Sequence, residues 1–162
     1  MVKNLFNNVV CLICVFSFLT ACNSSSDSKA PEILENDSIY FGKNATHEII
    51  QVESEKKWIV KSDLKDDSNY NVLEVKNTGE KIDKYPIINL TVTDVSGDIE
   101  SSFGTREGRK FILLKESDEI HFIAAKDEYR DEIENNIEQS NDPIDYLKSI
   151  SKYDFYLDVN GK

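Results

Sequence analysis

Val72-Leu73-Glu74-Val75-Lys76-Asn77-Thr78-Gly79 and Ile88-Asn89-Leu90-Thr91-Val92-Thr93-Asp94 decide how this 162-residue chain is read. In the second stretch Ile88, Leu90 and Val92 alternate with Asn89, Thr91 and Thr93, which is the period of a strand with one buried face. The first is dense in residues that suit a pleated surface and ends on Asn77-Thr78-Gly79, where Gly79 can take a positive φ, so a turn is expected there.

Similar stretches flank this pair. Glu48 to Glu53, Lys57 to Lys61, Ile99 to Phe103, Phe111 to Leu114 and Ile120 to Ala124 read as further strands, rich in β-branched and aromatic residues. Ser96-Gly97-Asp98, Gly104 and Glu107-Gly108 mark breaks between them. Seven or so short strands separated by turns point to an antiparallel sandwich or barrel. After Ala125 the period changes: Tyr129, Ile133 and Ile137 recur every fourth residue, as on one face of a helix. Asp142-Pro143 reads as an N-cap and first helical residue, followed by Ile144, Leu147 and Ile150 at helical spacing. Phe155, Leu157 and Val159 alternate again as a closing strand.

The stretch from 72 to 94 resembles the strand, turn and strand of bacterial immunoglobulin-like surface modules, and the likeness stops after Ala125. The expected fold is mainly β with C-terminal helices: an immunoglobulin-like antiparallel β-sandwich with a helical hairpin before the last strand. The alternative is an α+β fold in which helices cover one face of an antiparallel sheet. Core packing is the expected use of both helices. Their exposed faces are acidic, which disfavours a membrane surface.

The N-terminus carries a different signal. Lys3 precedes an uncharged apolar run from Val9 to Ala21, too short to span a bilayer, which needs about 20 apolar residues. The run closes on Leu19-Thr20-Ala21-Cys22, which resembles the lipobox of bacterial lipoproteins. The resemblance implies a signal peptide over 1–21, cleavage before Cys22, and lipidation of the Cys22 sulfur by diacylglycerol, with an amide-linked, palmitate-class acyl chain often added. Two or three chains anchor stably, at about 0.8 kcal/mol per buried CH₂. Cys11 and Cys14 leave with the signal, so the exported domain holds no thiol for a disulfide. Residues 22–38 read as the lipidated cysteine and a flexible tether, polar and aperiodic in Asn23-Ser24-Ser25-Ser26-Asp27-Ser28, and 39–162 as a single globular domain. The implied location is the cell envelope, lipid-anchored. With Asn23 rather than Asp after the cysteine, the resemblance favours the outer membrane facing the periplasm in a Gram-negative cell.

Processing removes only Lys3 among the charged residues, leaving 18 basic against 30 acidic residues and a net charge of −12. Such a domain is repelled by nucleic acid and anionic head groups, so no nucleic-acid partner is expected, whereas a basic protein partner is electrostatically compatible.

No catalytic residue stands out. His47 and His121 lie far apart, and His47-Glu48 lacks the second histidine of a zinc-protease helix. His121, one polar residue in an apolar strand, is assigned a structural or exposed role. Ser101 and Ser102 lack a nucleophile elbow. Asp66 and Asp67 form one of many chance carboxylate pairs. Asp67, Asn69 and Asn71 alternate like the first ligands of a calcium loop, but Val72 stands where glycine is needed and Thr78 where the closing glutamate belongs, so a solvated turn is read instead. No cofactor and no metal are expected. The functional reading is a membrane-anchored, non-enzymatic module binding a protein or envelope component. Two alternatives are a periplasmic immunity lipoprotein neutralising a toxin, and a carboxylate-dependent hydrolase with a deep acidic cleft.

Overall fold

A computed structural model describes residues 33–43, 47–98 and 104–158. Among them run eight strands: β1 (Ile39–Gly42), β2 (Ile49–Ser54), β3 (Lys57–Lys61), β4 (Tyr70–Ile82), β5 (Tyr85–Ser96), β6 (Arg109–Lys115), β7 (Glu119–Ala124) and β8 (Tyr153–Leu157). Each pairs antiparallel with the next, and β8 pairs with β1 through Tyr40↔Leu157, Phe41↔Tyr156 and Gly42↔Phe155, closing a barrel. Phe41 and Tyr156 stack across this seam with ring centroids 5.7 Å apart.

The expected immunoglobulin-like β-sandwich is therefore corrected to a closed antiparallel barrel, and the α+β alternative is corrected with it. The reason lies at Ile39–Gly42, too short to show a period of its own. This strand supplies a partner for β8 and makes the strand number even, as an up-and-down antiparallel sheet requires if it is to close without an edge. Asn77-Thr78-Gly79 is likewise not the point of reversal. The β4–β5 register runs from Asn77↔Ile88 to Lys81↔Pro86, so extra residues bulge out of β4 there and the strand continues to Ile82. Gly79 does adopt φ +79°, inside that bulge, and the Asn77 side chain accepts from its N–H at 3.0 Å. Reversal falls at Asp83-Lys84, with Asp83 at φ 52°.

Large buried side chains pack the barrel interior. Trp58, Phe111, Phe122 and Phe155 fill its centre with edge-to-face contacts at 5.7–6.1 Å, surrounded by Ile50, Val60, Leu73, Ile88 and Leu90. Leu34, N-terminal to β1, is fully buried in the same cluster. Outside the barrel, a short 3₁₀ turn (Asp127–Tyr129), α1 (Arg130–Gln139) and α2 (Pro143–Ser149) lie between β7 and β8. Ile133, Ile137 and Leu147 pack over Ile87, Ile112, Leu114 and Ile123, which face away from the interior.

This second cluster explains a sequence feature. Where β4 meets solvent, its buried residues alternate with exposed ones. In β6, Phe111-Ile112-Leu113-Leu114 is continuously apolar because one face fills the barrel and the other receives the helices. Asp142 caps α2, its Oδ1 accepting from the N–H groups of Ile144 and Asp145 at 3.1 Å, and Pro143 opens the helix without a wasted donor. Two residues of the helical stripes stay outside the packing. Tyr129 precedes α1 and Ile150 follows α2, and both are exposed. Cys22, the signal peptide, the tether as far as residue 32, the strand expected at Ile99 to Phe103, and Val159 lie outside the described residues.

Candidate functional site

The β6–β7 hairpin turns through Glu116-Ser117-Asp118-Glu119, and the N–H of Glu116 donates to the carbonyl of Glu119 at 2.8 Å. Glu119 and His121 are two residues apart on β7 and so share its outer face, while Ile120 and Phe122 point inward. Antiparallel register places His121 opposite Leu114 on β6 and Asp154 on β8. Two lysines close the perimeter: Lys148 of α2 pairs with Glu116, and Lys43, just after β1, pairs with Glu119 Oε1.

His121 sits at the centre with its side chain 5 % exposed. Its Nδ1 lies 2.7 Å from Asp154 Oδ1. A carboxylate can only accept, so Nδ1 is the donor in this bond, which selects the tautomer whose Nε2 carries a lone pair. Among the described residues that Nε2 has no hydrogen-bond partner. It faces Glu119 Oε2 at 3.6 Å and Glu116 Oε2 at 3.8 Å, both beyond hydrogen-bond length. The nearest donor atoms of Glu116, Glu119 and His121 all lie within 4.8 Å of one another. Glu116 holds the Lys148 ammonium above the usual lysine range, with Glu119 and Asp145 adding to the effect. Chemically, this is a buried lone pair and two carboxylate oxygens converging on a small space, a set suited to receiving a cation.

Glu116 and Glu119 also line a surface cleft of about 520 Å³, together with Tyr85, Leu114 and Ile144. A second groove of about 770 Å³ runs beside the 3₁₀ turn, lined by both Lys126 and Lys152 and the acidic Asp127 and Glu128. Its cations are largely engaged: Lys110 pairs with Glu80 at 3.2 Å and Lys126 with Glu128 at 3.5 Å.

The other residues weighed from sequence are placed apart from this cluster. His47 is exposed ahead of β2, and Ser101 and Ser102 lie outside the described residues. Asp66 accepts from Ser68 Oγ at 2.6 Å, Asn69 Nδ2 at 2.7 Å and the Ser68 N–H at 2.8 Å, bonds that hold its carboxyl at about 2. Asp67 is engaged by Lys61 Nζ at 2.7 Å, and Asn71 is buried within β4. Asp66 and Asp67 are thus each engaged within the turn or by the adjoining strand β3.

In the sequence His121 reads as structural or exposed, and Glu116, Glu119 and Asp154 are three of many acidic residues. The readable signal was local: Glu116, Glu119 and His121 fall within six residues around one hairpin turn. Asp154 is 33 positions from His121, and the β7–β8 register alone brings it there. No family model, curated protein or solved structure matches the chain.

Proposed function

We propose that the chain is an envelope lipoprotein, acylated at Cys22, whose barrel acts as a non-enzymatic module binding a protein or an envelope component. The observation that carries the binding reading is the packed interior: Trp58, Phe111, Phe122 and Phe155 occupy the space in which a hollow eight-stranded barrel would hold a small ligand. Recognition therefore falls to the outer wall and the hairpin ends. Leu19-Thr20-Ala21-Cys22 and the polar stretch after it support a domain held by a short leash, roughly 20 Å from its bilayer if that stretch behaves as a flexible coil. A net charge of −12 after processing favours a basic partner surface and steers its approach.

Photo-crosslinking in cells tests this, with the reactive group placed in turn at the exposed positions Val95, Tyr129 and Tyr156 of the otherwise intact chain. One defined adduct, formed at some positions and not others, is expected. Absence of an adduct at every position, or equal labelling of many proteins at all of them, contradicts a binding role for the outer wall.

A further inference from the structure

We propose that His121, Glu119 and Glu116 form a site for one divalent first-row transition ion, with Zn²⁺ as the reference cation. The inference is independent of the binding role proposed above. It rests on the unpartnered Nε2 of His121, a nitrogen more than nine-tenths buried and aimed at two carboxylate oxygens. An imidazole with two carboxylates is a donor set for zinc or manganese rather than for calcium or magnesium, which take oxygen alone.

The distances separate two occupants of this space. A direct hydrogen bond between Nε2 and a carboxylate would be about 2.7–2.9 Å long. The observed separations are 3.6 and 3.8 Å. Zinc bonds of about 2.0–2.2 Å in tetrahedral array put neighbouring ligand atoms about 3.3–3.6 Å apart. The two nitrogen–oxygen separations thus stand within a few tenths of an ångström of the spacing an ion requires, and all three donors lie within 4.8 Å of one another. Asp154 completes a familiar arrangement of metal sites: a carboxylate holds the far ring nitrogen as a donor, fixing the tautomer and leaving the near nitrogen free to ligate.

Charge points the same way. Glu116, Glu119 and Asp154 set three carboxylates against two ammonium groups, Lys43 and Lys148, so the side chains paired around the His121 ring carry an excess negative charge. Glu119 already divides its oxygens, giving Oε1 to Lys43 and turning Oε2 toward His121. Glu116 is less free, because Lys148 pairs with the same Oε2 that faces the histidine. Lys148 is therefore a competitor for the ion. The cleft lined by Glu116 and Glu119 opens their carboxylates to solvent, from which a water would supply the fourth ligand.

The test uses the untagged full-length chain in detergent, titrated with Zn²⁺ by calorimetry and with Co²⁺ by visible absorption. One equivalent of Zn²⁺ should bind, with a Co²⁺ spectrum of four-coordinate intensity. Glu119→Gln should weaken binding at least about ten-fold, and Asp154→Asn by about ten- to a hundred-fold through the second shell. Lys148→Gln should tighten it, an effect of opposite sign that a merely structural cluster would not produce. His47→Gln should leave it unchanged. Circular dichroism confirms that each variant is folded; Glu119 is 30 % exposed, so its variant keeps the test alive if a change at the buried histidine unfolds the barrel. Absence of Zn²⁺ binding to the wild-type chain, or binding that survives Glu119→Gln and Asp154→Asn unaltered, overturns the proposal.

Discussion

His121 Nδ1 and Asp154 Oδ1 stand 2.7 Å apart, on residues directly opposed in the β7–β8 register and 33 positions apart in the chain. The bond crosses to β8, the strand that closes the barrel, so it ties chemistry at the outer wall to closure of the sheet. Asp154→Ala leaves the buried Nδ1–H without an acceptor and should cost about 1–3 kcal/mol. Asp154→Asn retains a carbonyl acceptor and should cost less. Urea unfolding of both variants checks the order, and equal midpoints for alanine and asparagine would remove the hydrogen bond as the cause.

Phe122 meets three rings edge-to-face, Trp58 at 6.1 Å, Phe111 at 5.8 Å and Phe155 at 5.7 Å. Truncation to alanine opens a cavity in a fully buried centre and should cost about 3–5 kcal/mol. Phe122→Leu should lose distinctly less. A loss below about 1 kcal/mol for the alanine variant would mean that the interior collapses around the gap and is not rigidly packed.

Two glycines with nearly the same φ should respond differently. Gly97 has φ +73° and a Cβ built there would stand 1.9 Å from Asn69 Oδ1, the same oxygen that accepts from the Asp98 N–H. Gly79 has φ +79°, and no atom of the described residues comes within 4 Å of a Cβ built there. Gly79→Ala should carry only the left-handed cost, about 1–2 kcal/mol, and Gly97→Ala that cost plus the displacement of Asn69. Thermal denaturation of the pair is the check, with the larger fall in melting temperature expected for the Gly97 variant.

Hydrogen bonds from Ser68 and Asn69 hold the exposed Asp66 carboxyl at about 2, below its ordinary 3.8, and Arg130 with Lys110 draws Glu80 down as well. Both groups are lowered on folding, so the stability they add is present above the unfolded carboxylate range and is lost as pH falls through the folded values. Carbon-13 detected titration should find Asp66 ionised well below pH 3. Ser68→Ala should return it toward the ordinary value. An Asp66 midpoint near 3.8 in the wild-type chain would show that the Ser68 and Asn69 bonds do not persist in solution.

The physics of alternation and helical spacing made most elements visible in the sequence, and what escaped it was pairing. Ile88, Leu90 and Val92 announce a strand because their neighbours are polar, and Asp142-Pro143 announces a helix start because capping is local. The four residues Ile39–Gly42 carry too little pattern to reveal that they bridge β2 and β8, yet that bridge turns an open sheet into a barrel. The Gly79 bulge looked like a reversal because a positive φ serves either purpose, and register alone tells them apart. The His121 cluster was obscured for a related reason. Glu116 and Glu119 are ordinary acidic turn residues until register and α2 bring Asp154, Lys43 and Lys148 around one imidazole.

Acylation of the Cys22 sulfur, as proposed, would hold this barrel at a membrane, and a mass spectrum of the tryptic peptide Cys22–Lys29, taken from protein extracted out of membranes, tests that proposal most directly. The predicted result is a mature chain beginning at Cys22, with a diacylglyceryl thioether on its sulfur. A free thiol at that position, or a mature chain that begins elsewhere, would contradict it.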